Sequence, residues 1–245
     1  MNPATLESAS AHALADYPRE SCGLVSVVKG RERYTACRNI AENTAAHFVV
    51  DPEDYDAAES LGEITAIVHS HPDVSAMPSE ADLVMCEATG LPWHIIAVHG
   101  DEEAPRIVAT HAFEPNGYVA PLVGRWFHHG VLDCFTLVKD WYERERGITL
   151  PDFNRPDDWW NDGGNLYMEN FAAAGFREVG GAVEVGDLFL MQVRSPVPNH
   201  AAIYIGDGLI LHHLFGRLSS RDVYGGQWQE MTRTRVRFSG VESSL

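Results

Sequence analysis

The chain has 245 residues, of which 45% are apolar and 10% aromatic, and its 35 acidic and 18 basic side chains give a formal net charge of −17. This composition predicts a folded core and excludes a disordered acidic tail. The negative charge argues against non-specific binding to nucleic acid or to anionic lipid, since both depend on lysine and arginine, and no 18-residue apolar run is present to span a membrane.

An uneven distribution of charge divides the chain into two parts. Residues 1–115 carry 19 acidic and six basic side chains, whereas residues 116–245 carry 16 and 12. The turn-forming segment Glu114-Pro115-Asn116-Gly117 lies at this step. Because domains average roughly 100–200 residues, we predict one domain over 1–115 and a second over 116–245.

The first domain mixes helix and strand patterns. Short apolar runs predict buried strands, which lie at 22–28, 64–68 and 93–98. N-cap and first-turn signals predict helices, which lie at 4–16, 51–62 and 78–89. The domain is therefore expected to be a mixture of α and β elements.

A candidate metal site follows the second predicted strand. His69 and His71 are two residues apart, so strand alternation places both imidazoles on one face. Asp82 lies one turn into the next predicted helix. Two imidazoles and one carboxylate leave a fourth position open for water, which is the pattern of catalytic rather than structural zinc, and Glu20 is a candidate general base. A His-x-His pair alone is more often a polar strand end.

The full string is more specific than the histidine pair. The string resembles the JAMM signature of MPN-domain metallopeptidases, since it consists of His69-Ser-His71, seven residues, Ser79, two residues and Asp82. Glu20 lies in a segment that resembles the one carrying the family's glutamate. The resemblance implies a cytidine-deaminase-like α/β domain that hydrolyses peptide or isopeptide bonds. It implies that His69, His71 and Asp82 bind Zn²⁺, that Ser79 contacts the substrate carbonyl or oxyanion, and that Glu20 activates water. A zinc deaminase is a weaker alternative, since its Pro-Cys-x-x-Cys pattern is absent.

The second domain begins with a helix and ends with strands. Helices are predicted at 133–146 and 165–174, an ordered loop at 151–164, and strands at 187–193, 200–205 and 209–212. Asp207-Gly208 predicts a tight hairpin turn between the last two strands.

A candidate thiol site combines Cys134 with two histidines. Cys134 begins a predicted helix, where the helix dipole favours a thiolate. The hairpin brings His200, at the start of one strand, beside His212, at the end of the next. A thiol, an imidazole and a polar group that orients the imidazole form a nucleophilic site. A cysteine considered alone is more often a small buried apolar residue.

These residues resemble the NlpC-type cysteine peptidases, which are papain-like α+β enzymes that cut cell-wall peptides. Shared features are Asp133-Cys134 at a helix start and His200 followed by a small-apolar strand, a Gly-Asp-Gly turn and His212. The resemblance implies that Cys134 is the nucleophile, His200 the base and His212 the orienting residue.

Two departures from that family leave points open. Phe135-Thr136 follows the cysteine, where the family usually has Ser-Gly. The family's aromatic residue upstream of the cysteine has no clear equivalent, so the oxyanion partner is unassigned beyond the backbone amide of Cys134. His213 is an alternative to His212, although strand alternation points it to the opposite face.

Together the two domains resemble the K family of tail assembly proteins of lambda-like tailed phages. The resemblance implies a tail tip assembly protein with two peptidase sites, whose partners are other tail tip proteins and peptidoglycan peptides. The alternative is a structural assembly factor whose sites serve maturation or partner docking. Because the chain begins without a signal-peptide pattern, we expect synthesis in the host cytoplasm and, if the protein is packaged, action from the tail tip in the periplasm or at the cell wall.

Overall fold

The structure is a computed structural model in which residues 1–240 are described. The chain divides into two units, the first over Met1–Val119 and the second beginning at Ala120. Both units contain helices and sheets, which confirms the α+β class predicted from the sequence. Within the described residues, no helix is long and apolar enough to cross a membrane.

The first unit is built on a five-stranded sheet with the order β2-β1-β3-β4-β5. Neighbouring strands are antiparallel except β3 and β4, which are parallel. The elements are α1 (Pro3–Asp16), β1 (Cys22–Val28), β2 (Arg31–Cys37), α2 (Pro52–Leu61), β3 (Glu63–Pro72), α3 (Glu80–Thr89), β4 (Trp93–His99) and β5 (Arg106–Phe113). The three predicted helices and three predicted strands are present, and β3 extends four residues beyond the predicted end, so that both histidines belong to the strand.

Alternate residues of the central strands pack on opposite faces of this sheet. On one face, Val25 and Val68 pack with Ala9 and Ala13 of α1. On the other, Leu24, Ile67 and Trp93 pack with residues of α2 and α3, which are Ala58 and Cys86. His69 and His71 have the same parity as Ile67. They therefore lie on the sheet face that is covered by α3.

The sequence did not predict the edge strands β2 and β5. Most of their residues are exposed or partly buried, and β2 reads Arg-Glu-Arg-Tyr-Thr-Ala-Cys. Edge strands carry charged residues that discourage pairing with other chains. Strand β2 therefore lacks the apolar run by which the inner strands were recognised, whereas β5 contains the short run Ile107-Val108-Ala109, which the sequence analysis did not identify as a strand.

The second unit contains an antiparallel sheet with the order β10-β9-β8-β7-β11-β6. Its elements are α4 (Cys134–Arg146), α5 (Leu166–Asn170), β6 (Phe176–Glu178), β7 (Leu188–Met191), β8 (His200–Gly206), β9 (Leu209–His212), β10 (Ser220–Val223), α6 (Gln227–Met231) and β11 (Thr232–Phe238). Leu137 and Trp141 of α4 pack in one cluster with Leu190, Ile203 and Leu211 of the central strands. This packing sets the N-terminus of α4 against the start of β8.

The helix predicted at 165–174 is shorter in the structure. It ends at Asn170 and is followed by turns that lead to Gly175, which has a φ of 87°. The predicted loop at 151–164 contains neither helix nor strand. Strands β6, β10 and β11 and helix α6 were not predicted, because each is short or rich in charged residues.

Candidate active sites

Three predicted ligands meet in a buried cluster of the first unit. The Nε2 atoms of His69 and His71 are 3.0 Å apart. An Oδ1 atom of Asp82 lies 3.2 Å from His69 Nε2, and its Oδ2 atom lies 3.5 Å from His71 Nε2. Each residue is less than 10% exposed. The structure thus joins the strand histidines to the first turn of α3.

These distances fit a tetrahedral metal ion. Zinc lies about 2.0–2.1 Å from a histidine nitrogen or carboxylate oxygen, so two ligands of a tetrahedron are about 3.3 Å apart. The three measured separations lie within about 0.3 Å of that value. The donor set and its spacing therefore fit Zn²⁺ with a fourth position left for another ligand.

The histidine rings are held in place by groups behind them. His71 Nδ1 lies 2.7 Å from the carbonyl oxygen of Ser75, so this nitrogen donates its proton there and leaves Nε2 unprotonated for a metal. Phe48 stacks on the His69 ring at 4.7 Å, and Trp93 contacts it edge-on at 5.4 Å. This packing fixes the side-chain orientation before any ion binds.

Ser79 and Asp82 form a capping box at the start of α3. The Ser79 hydroxyl accepts the Asp82 N–H at 3.1 Å, and Asp82 Oδ2 accepts the Ser79 N–H at 2.7 Å. Burial by itself raises the pKa of Asp82, but hydrogen bonds to His69 and His71 outweigh it and hold that pKa well below its usual range. Asp82 is therefore a carboxylate at neutral pH.

We expect Ser79→Ala to weaken the first turn of α3, because the Asp82 N–H loses its acceptor. The loss of such a cap costs about 1 kcal/mol, so amide hydrogen exchange in α3 should become about fivefold faster. The matched control is Ser60→Ala in α2, whose hydroxyl only donates to the carbonyl of Ala57. Equal exchange in α3 for both variants would show that the cap has no stabilising role.

Glu20 is buried beside the ligand cluster, just before β1. Burial raises the pKa of its carboxyl to about 8; the nearby His71 lowers that pKa, and the nearby Asp82 raises it. The adjacent Ser21 N–H donates to the hydroxyl of Ser70 at 2.8 Å, which ties this segment to the residue between the two histidines. The carboxyl of Glu20 can therefore hold or release a proton near neutral pH.

In the second unit, Cys134 occupies the first position of α4. The Asp133 carboxylate caps the helix by accepting the N–H groups of Phe135 and Thr136. It also pairs with Arg155 at 3.0 Å. Cys134 is partly exposed, whereas the other three cysteines are buried. It is thus the accessible thiol among the four.

The Cys134 thiol has two polar neighbours. The Tyr167 hydroxyl lies 3.1 Å from Sγ, and the backbone N–H of Ala201 hydrogen-bonds to it. Burial, followed by the negative charge of Asp133, nevertheless raises the pKa of Cys134 to about 11. Desolvation therefore outweighs the helix dipole, and the sequence-based expectation of a resting thiolate does not hold in this structure.

The two predicted histidines form a chain that ends at a third residue. His200 Nε2 lies 3.1 Å from His212 Nδ1, and His212 Nε2 lies 3.1 Å from Asp222 Oδ2. Burial lowers the pKa of His200 to about 3 and also lowers the pKa of His212, so both rings are neutral at pH 7. His213 faces elsewhere, with its ring edge-on to Phe127.

An apolar pocket lies beside the thiol. Tyr167 and Ala201, which both contact Cys134, also line this pocket, together with the rings of Phe135, Phe153 and Phe171. Tyr167 and Asp222 were not predicted from the sequence. Tyr167 lies in a short helix 33 residues after the cysteine, and Asp222 lies on a strand without an apolar pattern, so neither has a recognisable local signal.

Family comparisons agree with the two-unit structure. The model of the prokaryotic homologs of the JAB domain matches residues 3–111, and that of the NlpC/P60 family matches residues 124–237. A solved structure, that of protein DSY2949 from Desulfitobacterium hafniense, aligns at 22% identity and a TM-score of 0.34, covering 47% of this chain and 89% of its own.

Two curated relatives match most of the chain. Tail tip assembly protein K of Escherichia phage N15 is 42% identical over 247 residues, covering 100% of this chain and 98% of the relative. The protein of the same name from Escherichia phage lambda is 44% identical over 205 residues, covering 80% of this chain and 96% of the relative. This identity over nearly full length shows that the chain belongs to the family of tail tip assembly protein K, with a JAB-like domain followed by an NlpC/P60 domain.

Proposed function

We propose that the protein acts in tail tip assembly as a hydrolase with two peptidase sites. Residues 1–115 would form a zinc metallopeptidase domain and residues 116–245 a cysteine endopeptidase domain that acts on peptidoglycan peptides. The proposal is supported by two clusters of reactive groups. In the first unit, His69, His71 and Asp82 converge next to Glu20. In the second unit, the Cys134 sulfur accepts the N–H of Ala201, the residue after His200, and His200 is hydrogen-bonded to His212.

In the first site, His69, His71 and Asp82 would hold Zn²⁺ through the atoms that already converge. When bound there, zinc would acidify a water ligand and polarise a carbonyl oxygen. Glu20 would take a proton from the attacking water and deliver it to the leaving amine, because its pKa lies near neutral. The Ser79 side chain, at the N-terminus of α3, would contact the substrate carbonyl or oxyanion.

In the second site, His200 would take the proton of the Cys134 thiol. The resulting thiolate attacks the peptide carbonyl carbon, a thioester forms, and His200 gives its proton to the departing amine. Water then cleaves the thioester with His200 again acting as base. The Cys134 backbone N–H and the Tyr167 hydroxyl, which lies 3.1 Å from Cys134 Sγ, would stabilise the oxyanion.

The partners follow from the family. Other tail tip proteins would hold the chain during assembly in the host cytoplasm, and a packaged copy would reach peptidoglycan from the tail tip. The net charge of −17 gives the protein no attraction of its own to an anionic wall. Delivery by the tail would therefore bring the cysteine site to its substrate.

Complementation tests whether the two sites are used. In a phage that lacks its own copy of this gene, we expect Glu20→Gln and Cys134→Ala each to reduce plaque formation at least tenfold, because each removes one proton carrier or nucleophile. The control is Asp207→Asn in the turn between β8 and β9, at the opposite end of this hairpin from His200 and His212. Full complementation by both variants would instead support the structural assembly factor.

A further inference from the structure

Asp222 lies at the end of the hydrogen-bond chain of the thiol site, on strand β10. This strand pairs with β9 so that Ser220 lies opposite His212, which brings the Asp222 carboxylate within 3.1 Å of His212 Nε2. The carboxylate also accepts a hydrogen bond from Ser220 Oγ at 3.3 Å. The Asp222 side chain is partly exposed, and its Oδ2 atom lies 3.7 Å from Arg217 Nη2.

The hydrogen bonds between these groups determine which nitrogen of each ring carries the proton. An ionised carboxylate only accepts hydrogen bonds, so His212 Nε2 must carry a proton and donate it to Asp222. A neutral imidazole has one N–H, so His212 Nδ1 is then an acceptor. His200 Nε2, 3.1 Å away, must be the donor of that second hydrogen bond. The remaining nitrogen of His200, Nδ1, is therefore the unprotonated and basic one.

From this chain we propose that Asp222 is a positioning residue that holds His212 and His200 in the tautomers required for Nδ1 of His200 to act as the base for Cys134. The assignment rests on the proposed peptidase function of this site, and it adds a fourth member to the predicted set. Asp222 contacts neither the thiol nor a substrate position. It acts through His212 alone.

Only one proton moves in the proposed transfer from Cys134 to His200. When His200 Nδ1 takes the proton from Cys134, the S–H bond breaks and an N–H bond forms, which leaves a thiolate and an imidazolium. The Nε2 proton of that imidazolium remains hydrogen-bonded to His212 Nδ1, and the proton on His212 Nε2 stays bonded to that nitrogen while it is hydrogen-bonded to the Asp222 carboxylate. The chain thus stabilises the positive charge without moving a second proton.

The other groups around the His200 and His212 rings cannot replace the Asp222 carboxylate as the acceptor of the His212 Nε2 proton. Among residues 1–240, the charged or titratable groups other than Asp222 that act on the two rings are Arg217 near His212 and His213 near His200. The Trp228 ring contacts His212 edge-on at 4.5 Å. None of these groups can accept the His212 Nε2 proton as a carboxylate does.

The test compares Asp222→Asn with Asp207→Asn, which makes the same chemical change in the hairpin turn. Nitrogen NMR of ¹⁵N-histidine-labelled full-length protein reports which ring nitrogens carry protons. In the wild type and in Asp207→Asn, we expect both histidines to be protonated on Nε2. In Asp222→Asn, the amide can donate to His212 Nε2, so His212 and then His200 should shift their protons to Nδ1.

Peptide hydrolysis gives the second readout. We expect Asp222→Asn to lower kcat by roughly 10² to 10⁴-fold, as the loss of an orienting carboxylate does in other triads, with KM changed less than twofold. Asp222→Glu should recover the wild-type tautomers and much of the rate. Thermal unfolding checks that the variants keep the wild-type fold.

Two results would overturn the proposal: a wild-type spectrum with His212 protonated on Nδ1, or an Asp222→Asn variant that keeps the wild-type tautomers and kcat. If Asp222→Asn did not fold, the wild-type and Asp222→Glu spectra would still show whether a carboxylate at position 222 keeps both histidines protonated on Nε2. A tautomer switch in a protein that cleaves no peptide would support the role of Asp222 and count against the proposed peptidase function.

Discussion

Cys134→Ala is expected to abolish release of peptide fragments from purified peptidoglycan. Cys134 is the partly exposed thiol of the chain, it begins α4, and the residue after His200 donates its N–H to the sulfur. Removing the nucleophile of a covalent mechanism lowers the rate by about 10³-fold or more. Chromatography of the soluble fragments measures the loss.

The matched control is Cys86→Ala, which removes a buried cysteine of the first unit. It should release fragments at the wild-type rate. A metal chelator should also leave the release intact, because the thiol site contains no member of the ligand cluster. If Cys134→Ala cleaved peptidoglycan as fast as the wild type, Cys134 would not be the nucleophile.

Loss of zinc is expected from the double substitution His69→Ala and His71→Ala. The wild-type chain should bind about one zinc ion, because three ligand atoms already lie 3.0–3.5 Å apart. With both imidazoles removed, Asp82 alone cannot retain the ion. Metal analysis of the purified, dialysed proteins measures the zinc content.

A second double substitution, His94→Ala with His111→Ala, provides the control. Both histidines lie on strands of the same sheet, and neither belongs to the ligand cluster. This control should retain zinc, and added zinc should raise its melting temperature and that of the wild type, since an ion that binds the folded state stabilises it. A wild-type protein free of zinc would remove the basis for the metallopeptidase proposal.

Local sequence signals predicted the positions of the main elements and the members of the metal cluster. Asp51-Pro52 and Ser79-Glu80 begin helices as expected, because N-cap side chains and proline act within one turn. The His-x-His spacing placed both rings on one face, because strand alternation is a property of the backbone. The hairpin turn at Asp207 similarly predicted that His200 and His212 are neighbours.

Long-range packing decided the rest of both sites. Asp222 reaches His212 through the pairing of β10 with β9, and Tyr167 reaches Cys134 from a helix 33 residues away. Burial decided the protonation states as well, since it raises the pKa of Cys134 to about 11 and that of Glu20 to about 8. A helix dipole can be inferred from local sequence, but desolvation depends on all the atoms that surround a group.

For this protein, the sequence by itself therefore predicted the two-part organisation of motifs, the convergence of His69 and His71 with Asp82 as candidate ligands, and the proximity of His200 to His212. The two histidine pairs depend on the spacing of residues within one strand or one hairpin, which is a local property of the chain. Only the tertiary structure decided that Asp222 completes the histidine chain and that the resting thiol is protonated. Both depend on which distant segments pack together and how completely they exclude water.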